Sequence, residues 1–218
     1  MIRKMYRQIK YDGFKNTLSL TIQKLLNFIK LRNSITYYFC CKKFINSYTN
    51  NIDALNFEFI ENKKILSQYK ICGRIDNKEA AKKIDNGSIL FAVFDNADIV
   101  AYAFIHKKHY KLDNKYRFSL QEDERWIGPV FVSKQYRGKG INQFQISTVL
   151  DYLDNKSINK IYTSINSKNY PSIVSFMKNN FKIIGLTILK RKLLKQDYFK
   201  IINLQDDSID LKNRIIKK

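Results

Sequence analysis

Gln135-Tyr136-Arg137-Gly138-Lys139-Gly140 is the stretch that decides the fold, because an apolar segment runs into it and an amphipathic segment runs out of it. The preceding residues 126–132 are mostly β-branched, aromatic or otherwise apolar, which favours a buried strand. The following residues place apolar side chains on one helical face at the i, i+3, i+4 and i+7 spacing, namely Ile146, Val149, Leu150 and Leu153. The sequence therefore predicts a strand, a glycine-rich loop and a helix in that order.

A glycine-rich loop at the start of a helix is suited to binding an anion. The helix N-terminus presents unpaired N–H donors and the positive end of the helix dipole, so phosphate is the expected ligand. Arg137 and Lys139 add positive charge at the loop. A dinucleotide fingerprint would need a glycine where this chain has Gln143, and the Gly-Lys-Ser/Thr of a Walker loop does not occur. Both are excluded, and a plain strand-to-helix turn remains the alternative to a phosphate site.

The loop resembles the coenzyme A loop of the GNAT superfamily of acyl-CoA-dependent N-acyltransferases, whose pattern is Gln/Arg-x-x-Gly-x-Gly/Ala. Gln135, Gly138 and Gly140 occupy all of its fixed positions. The resemblance implies acetyl-CoA as co-substrate and no metal. It also implies a set of cofactor-binding residues from the strand, the loop, the helix and one later asparagine: Val130, Val132, Gln135, Arg137, Gly138, Lys139, Gly140, Ile141 and Asn169.

A second block of sequence extends the resemblance. In the family, the strand after the loop helix leads to an asparagine, a short helix and a Gly-Phe pair that opens the next strand. This chain reads Asn169-Tyr170-Pro171 and then Asn180-Phe181, in the same order. Asn180 replaces the usual glycine, which is tolerated because asparagine also adopts left-handed conformations at helix ends. The tyrosine that many members use as general acid aligns with Phe176, which has no proton to donate.

The resemblance covers roughly residues 55–204 and implies a GNAT-type α/β fold. Its sheet is mixed and mostly antiparallel, with a splayed central strand and flanking helices. Gly128-Pro129 fits such a strand, because proline inside a sheet is normally confined to edges or bulges. In the family this bulged strand opens a slot for the pantetheine arm. We expect three parts: a basic amphipathic N-terminal extension (1–50), a GNAT-like acyltransferase domain (51–204) and a polar tail (205–218).

The N-terminal extension has a character of its own. Residues 1–44 are rich in lysine and arginine and contain Asp12 as their one acid. An apolar helical face is formed by Phe14, Leu18, Ile22, Leu25, Leu26 and Ile29. One interpretation packs this helix on the catalytic body or on a second subunit, which would give a homodimer. The other places residues 1–45 on an anionic membrane surface, since a basic amphipathic helix gains apolar burial and lipid attraction.

The formal net charge is +21, from 40 lysines and arginines against 19 acids. The lysines are spread through every segment, which indicates compositional bias, and the phosphates of coenzyme A account for some of the excess. No helix-turn-helix, zinc finger or aromatic RNA-binding signature stands out, so nucleic acid is not expected as a partner.

The sequence also bears on location. No apolar run approaches the ~18 residues of a transmembrane helix, and the start lacks the pattern of a secretory signal. Cys40, Cys41 and Cys72 form no CxxC pattern, which favours reduced thiols over a disulfide framework. We expect a cytoplasmic protein, located at the inner face of the membrane if the extension binds lipid.

The resemblance implies direct attack of an amine on the acetyl thioester. A base must deprotonate the amine, and Glu122 and Glu124 at the start of the loop strand are the candidates. Alternation places Glu124 on the same face as Trp126, so we prefer it, with a solvated charge cluster as the alternative. Without a tyrosine at the family's position, Tyr170 or Tyr162 could protonate the thiolate, or it could leave unassisted because a thiol is fairly acidic. Glu124 and Tyr170 are the predicted catalytic residues.

His106 and His109 form a His-x-x-His pattern that invites a metal interpretation. No suitable cysteine pair or third ligand is nearby, and zinc sites generally need three or four protein ligands, so no metal is expected. We expect the pair at a strand end near the acceptor cleft, with His106 as a candidate for substrate contact.

The acceptor is expected to be a small-molecule amine. By its basic amphipathic extension the chain resembles bacterial members associated with cell-surface polysaccharide synthesis. A nucleotide-linked aminosugar would suit the basic charge, because its diphosphate needs cations. The alternative function is a non-catalytic GNAT-fold binding or assembly module that has lost its general acid, which Phe176 favours.

Overall fold

The computed structural model describes residues 33–42, 55–112, 115–190, 198–204 and 210–217, which form two sheets and the helices that cover them. The strands are β1 (Asn33–Cys41), β2 (Asn56–Ile60), β3 (Lys70–Ile71), β4 (Ile89–Asp95), β5 (Asp98–His106), β6 (His109–Lys111), β7 (Tyr116–Ser119), β8 (Glu124–Val132), β9 (Lys160–Asn166), β10 (Lys182–Lys190), β11 (Tyr198–Asn203) and β12 (Ile215–Lys217). The helices are α1 (Asn77–Asp85), α2 (Ile141–Asp154), α3 (Tyr170–Lys178) and the single turn α4 (Leu211–Arg214), with 3₁₀ helices at Lys63–Gln68 and Lys134–Tyr136.

The larger sheet has the order β11-β10-β1-β9-β8-β5-β4-β2, with β3 beside β5. The β8–β9 and β3–β5 pairs are parallel, and the other pairs are antiparallel. This confirms the mixed, mostly antiparallel α/β fold. Two dipeptides that are typical of turns connect these elements: Asn86-Gly87 lies before β4, and Asp95-Asn96 lies between β4 and β5.

Strand β1 lies inside this sheet, within the stretch that the sequence analysis gave to the N-terminal extension. It pairs with β9 on one side and β10 on the other, so that Tyr38 lies opposite both Ser164 and Gly185. Its β-branched and aromatic residues suit a strand. The lysines around β1 led to the prediction of a basic extension. The strand could not be predicted to lie in the sheet, because local composition does not reveal partner strands that are far along the chain. The predicted amphipathic helix over residues 14–29 lies outside the described residues.

The C-terminal stretch also differs from the polar tail that was expected. Within it, β12 pairs with β7 in a second sheet of order β12-β7-β6. Leu211 and Ile215 are buried in the same apolar cluster as Trp126. These apolar residues therefore add a layer to the domain.

The helices and the small sheet cover different parts of the larger sheet. On one face α2 and α3 pack on the central strands, and the predicted apolar face of α2 is buried there: Ile146, Val149, Leu150 and Leu153. Burying each of these side chains contributes roughly 1.5–3 kcal/mol. On the other face, Leu66 of the first 3₁₀ helix and Ile84 of α1 pack on β4 and β5. The small sheet covers β1, β8 and β9 on that same face, where Phe118 meets Trp126.

Candidate active site

Strands β8 and β9 diverge and leave an open fork in the sheet. Their parallel pairing runs only from Glu124 opposite Lys160 to Trp126 opposite Tyr162, although both strands continue beyond it. At the fork, Thr163 Oγ1 donates a hydrogen bond to the carbonyl oxygen of Ile127 at 2.8 Å. Among the described residues, the second half of β8 therefore has no strand partner on one edge, and its backbone groups on that edge can bind a ligand.

A bulge in β8 lies directly after the fork. Ala103 and Ile105 of β5 face Val130 and Ile127 of β8, so β8 fits one residue more than β5 into the same interval. The extra residue falls at Gly128-Pro129, which confirms the predicted bulge.

His106 holds this bulge in place. Its Nε2 lies 2.6 Å from the carbonyl oxygen of Gly128, and its Nδ1 lies 2.8 Å from Ser88 Oγ. Because the carbonyl only accepts, Nε2 carries the proton and Nδ1 accepts from the serine hydroxyl. Burial lowers the pKa of His106 to about 4, although the bond to Gly128 acts in the opposite direction. The ring is thus neutral near pH 7. It hydrogen-bonds the backbone of Gly128, whereas the sequence analysis named His106 as a candidate for substrate contact.

The glycine loop leads into α2 as predicted. Gly138 and Gly140 have φ angles of +80° and +78°, in the left-handed region that favours glycine. Gly140 is the N-cap residue of α2, and no side chain caps this N-terminus. A Cβ added to Gly138 would meet no heavy atom within 4 Å, so the space beside it is open. The loop therefore offers helix N–H groups and free space to an anion.

A groove of about 410 Å³ runs between this loop, the end of β8 and the start of α3. Most of the predicted cofactor-binding residues line it: Val130, Val132, Arg137, Gly138, Gly140, Ile141 and Asn169. Gln135 and Lys139 lie outside the lining and are exposed, with Lys139 Nζ 5.4 Å from the centre of the Tyr136 ring. The loop backbone, rather than these two side chains, faces the groove.

Arg74 lines the groove and was missed by the sequence analysis. Its guanidinium carbon lies 6.0 Å from the centre of the Phe131 ring, and that of Arg137 lies at the same distance of 6.0 Å. The Nε of Arg137 also donates to the carbonyl oxygen of Val132 at 3.0 Å. Two guanidinium groups near one phenyl ring give the groove the donors that phosphate oxygens prefer.

The position of Arg74 depends on close packing that only the structure reveals. A Cβ on the neighbouring Gly73 would lie 2.5 Å from Cε1 of Tyr102, so the loop before α1 fits against β5 only with glycine there. The one signal in the sequence is a Gly-Arg dipeptide after an apolar stretch, which is too common to indicate a site.

Glu124 lies at the opposite end of β8 from the groove, roughly 20 Å from Val130 along the strand. It is fully buried, and its carboxylate accepts hydrogen bonds from Arg214 Nη2 at 2.7 Å, from the Tyr162 hydroxyl at 3.1 Å and from the Gln121 backbone N–H at 2.9 Å. The structure therefore does not bring Glu124 to the groove. Through its bond to Arg214, Glu124 instead connects the C-terminal segment to β8.

The candidate proton donors are placed in three different ways. Tyr170 is 70% exposed and lies outside the groove lining. Burial raises the pKa of the buried Tyr162, which is bonded to Glu124. Phe176 is buried, with its ring packed edge-on against Phe181 at 4.9 Å between centres. None of these three side chains belongs to the described lining of the groove.

Within the described part of the chain, no three His, Cys, Asp or Glu residues come close enough together to hold a metal ion. None of the helices found in the same residues has both the length and the apolar content that a bilayer crossing needs.

Residues 50–181 match the model of the acetyltransferase (GNAT) family. A GNAT acetyltransferase from Colwellia psychrerythraea superposes with a TM-score of 0.50 at 12% identity, covering 85% of this chain and 62% of that one. A tandem GNAT protein from the clavulanic acid biosynthesis pathway, without AcCoA, superposes with a TM-score of 0.50 at 8% identity. The match covers 79% of this chain and 55% of that one. A GCN5-related N-acetyltransferase from Sphaerobacter thermophilus has a TM-score of 0.49 at 10% identity, and the match covers 86% of this chain and 58% of that one.

At such low identities, the two structures with a TM-score of 0.50 establish only the fold. The chain spans 58%, 57% and 63% of the length of the first three solved structures it matches. No curated protein matches the sequence. The family model nevertheless covers more than half of the chain, including the forked strand and the glycine loop, and the chain therefore belongs to the acetyltransferase (GNAT) family.

Proposed function

We propose that the protein is an N-acetyltransferase that transfers the acetyl group of acetyl-CoA to the amine of a small molecule, with both substrates bound in a ternary complex. One observation carries the proposal. A single groove joins the left-handed glycine loop at Gly138 and Gly140 to the open edge of β8 at Val130 and Val132. A phosphate site that continues into a narrow slot fits a ligand with phosphates and a long, thin arm. Acetyl-CoA, the co-substrate of the family, has this shape.

The two ends of the groove suit different parts of this co-substrate. The N–H groups at the start of α2, together with Arg137 and Arg74, offer donors and positive charge to the phosphates. The backbone of Val130 and Val132 then hydrogen-bonds the pantetheine arm as it would an added strand. Asn169, at the start of α3, lines the opposite wall.

The proposed reaction is a direct transfer. The amine nitrogen forms a bond to the thioester carbonyl carbon, the carbon–sulfur bond breaks, coenzyme A leaves as the thiolate, and the nitrogen loses one proton. A thiol pKa of about 8.5 makes the thiolate an adequate leaving group without a protonated side chain. The ionisable groups in the groove lining are Arg74, Tyr136 and Arg137, and the Tyr136 hydroxyl donates to the Asp95 carboxylate. We therefore assign rate enhancement to substrate orientation and proton removal to water.

A second cavity supports the choice of acceptor. It measures about 180 Å³, lies on the sheet face that carries the small sheet, and has many hydroxyl groups in its lining: Ser34, Thr36, Tyr38, Tyr116, Ser164 and Thr187. The ring of Tyr116 stacks on that of Phe199, with centres 4.2 Å apart, and forms an aromatic wall. Ser164 lies on β9 just beyond the last β8–β9 pair, so the cavity adjoins the fork.

The chemistry of this second cavity favours a sugar ring. Hydroxyl groups both donate and accept, and an aromatic wall covers the apolar face of a pyranose. Its described lining residues include no carboxylate to pair with a polyamine or a lysine side chain. We therefore propose an aminosugar as the acceptor, linked to a nucleotide diphosphate that the net charge of +21 attracts.

Titration calorimetry with acetyl-CoA tests the co-substrate site. We expect the parent to bind and a Gly138→Glu variant to lose binding, because the new carboxylate would repel the phosphates. Gly87→Glu is the matched control, since Gly87 has a φ of +82° and equally open surroundings but lies in the turn before β4. No binding by a folded parent, or equal losses in both variants, would contradict the proposal.

Once binding is established, release of free thiol from acetyl-CoA tests the acceptor. We expect nucleotide-linked aminosugars to be acetylated faster than polyamines or lysine peptides. Preference for a polycation would overturn the aminosugar assignment while leaving the co-substrate site intact.

The second candidate function is a binding or assembly module that does not catalyse transfer. It is favoured by the buried Phe176, which occupies the position where many family members carry a tyrosine acid. Such a module would bind acetyl-CoA in the titration and release no thiol with any amine. Measurable turnover would exclude it.

A further inference from the structure

The outer half of one sheet face is apolar and is not covered by any described element. On the face that carries α2 and α3, the outermost strands β1, β10 and β11 present five apolar side chains: Ile35, Tyr37, Leu186, Ile188 and Ile202. Ile35 is 37% exposed, and the other four are only partly buried. On the opposite face of the same strands, beneath the small sheet, Tyr38 and Ile184 are buried to 3% exposure each. The described elements therefore leave the outer part of the face that carries α2 and α3 open.

Helix α3 borders this bare region with an apolar stripe of its own. Tyr170, Val174 and Met177 follow the i, i+4, i+7 spacing and are 70%, 50% and 54% exposed. The side of α3 that faces α2 is marked by Ser175, whose Oγ accepts from Asn142 Nδ2 at 2.7 Å. The stripe therefore points away from α2, toward the outer strands.

Two contacts show that α3 runs alongside β1. Near its start, the Ser167 N–H donates to the Ile35 carbonyl at 2.9 Å. Near its end, Cys41 Sγ donates to the Asn179 carbonyl at 3.7 Å. The stripe and the bare strands thus form one surface, with the strands as floor and α3 as wall. We call these eight residues the outer apolar surface: Ile35, Tyr37, Tyr170, Val174, Met177, Leu186, Ile188 and Ile202.

The start of β1 lies at the edge of this surface. Asn33, the first described residue, is two positions before Ile35, whose carbonyl oxygen accepts from Ser167 just before α3. The N-terminal segment is therefore joined to the chain next to this surface. Residues 14–29 carry the apolar helical face described above, and only residues 30–32 separate them from β1. As a helix this segment would be about 24 Å long, close to the length of a nine-residue strand.

We propose that residues 14–29 form a helix that lies on the outer apolar surface beside α3. Its apolar face covers the outer strands, and its polar face, with Gln23, Lys24 and Asn27, points to solvent. This helix completes the layer that α2 and α3 begin. The two lysines of the segment do not prevent this, because Lys24 lies on the polar face and Lys15 lies in the first turn, where its long side chain reaches solvent past the apolar face. The proposal does not depend on the acetyl-transfer reaction.

Hydrogen–deuterium exchange on the full chain tests the proposal. We expect amides of residues 14–29 to be protected in the monomer, and Ile22→Glu to speed their exchange at least tenfold. Val174→Asp, on the α3 side of the contact, should also speed the exchange of residues 14–29. The double variant should exchange little faster than either single variant. Gln23→Glu is the matched control, since it places the same charge on the polar face and should leave protection unchanged.

Three outcomes would overturn the proposal. One is exchange of residues 14–29 at the rate of an unfolded chain in the parent. Another is protection that rises with protein concentration, which would assign the surface to a second copy. The third is protection that appears only with phosphatidylcholine vesicles containing phosphatidylserine, which would assign the segment to a membrane. Retained acetyl-CoA binding in Val174→Asp shows that the variant is folded.

Discussion

His106 Nε2 lies 2.6 Å from the carbonyl oxygen of Gly128, and this contact connects a buried imidazole to the bulge beside the open slot of β8. The same ring accepts a hydrogen bond from Ser88, the residue just before β4. Three neighbouring segments therefore meet at one side chain. Since the bulge determines which backbone groups of β8 face the slot, the ring positions the proposed thioester site without touching a substrate.

The depressed pKa of His106 makes stability depend on pH. The folded protein binds a proton at His106 only near pH 4, whereas the unfolded chain binds it near pH 6.5. Between these values the unfolded state holds more protons, so stability falls as the pH drops, by up to about 1.4 kcal/mol per pH unit. Denaturant unfolding of the parent between pH 7 and pH 4 measures this slope. His106→Gln, which does not titrate, should show a smaller slope, and an equal slope would contradict the assignment.

The local part of the fold was open to prediction from sequence. The loop, its helix and the bulge at Gly128-Pro129 all depend on residues a few positions apart, where spacing and backbone preferences carry the information. The buried face of α2, from Ile146 to Leu153, follows from periodicity alone.

The contacts between residues far apart in the chain could not be predicted from the sequence. Strand β1 takes its place between β9 and β10, and no pattern within it names those partners. Likewise, Arg74 reaches the groove from the loop before α1, and Arg214 reaches Glu124 from the C-terminal segment. Glu124 was assigned to chemistry because strand alternation gave its face but not its neighbours, which occupy both carboxylate oxygens.

Arg74 is expected to bind the phosphates of the co-substrate. A hydrogen bond between charged groups contributes about 1.5–3 kcal/mol, and this groove is open to solvent, so Arg74→Ala should weaken acetyl-CoA binding by about tenfold. Arg74→Lys should lose less affinity than Arg74→Ala, because lysine keeps the positive charge, although it lacks the two-pronged donor geometry of a guanidinium. Calorimetric Kd values measure both, with Lys82→Ala on exposed α1 as the control for a lost positive charge. Equal Kd values in the parent and Arg74→Ala would exclude the contact.

Arg214 is expected to stabilise the fold through Glu124. Removing it leaves a fully buried carboxylate without its closest cation, so Arg214→Met should lower the free energy of unfolding by about 3–5 kcal/mol. The double variant with Glu124→Gln should be less destabilised than Arg214→Met alone, since no buried charge is left unpaired. Denaturant unfolding gives both values.

The same variants separate a structural role for Glu124 from a catalytic one. If Glu124 only holds the C-terminal segment, kcat of folded Glu124→Gln stays within about threefold of the parent. A fall of about 10² or more, with stability unchanged, would instead identify it as the base.

Phe176 provides the last test, because a tyrosine at this position would match many family members. Its ring is 2% exposed and packs against Phe181, so a hydroxyl added by Phe176→Tyr would enter an apolar environment. A buried hydroxyl without a partner costs about 1–3 kcal/mol, and we expect a loss of stability of this size with no gain in kcat. Lys178→Tyr, at an exposed position of the same helix, is the control for the substitution itself. A rise in kcat for Phe176→Tyr would mean that this position reaches the leaving thiolate, and catalysis by orientation alone would then have to be abandoned.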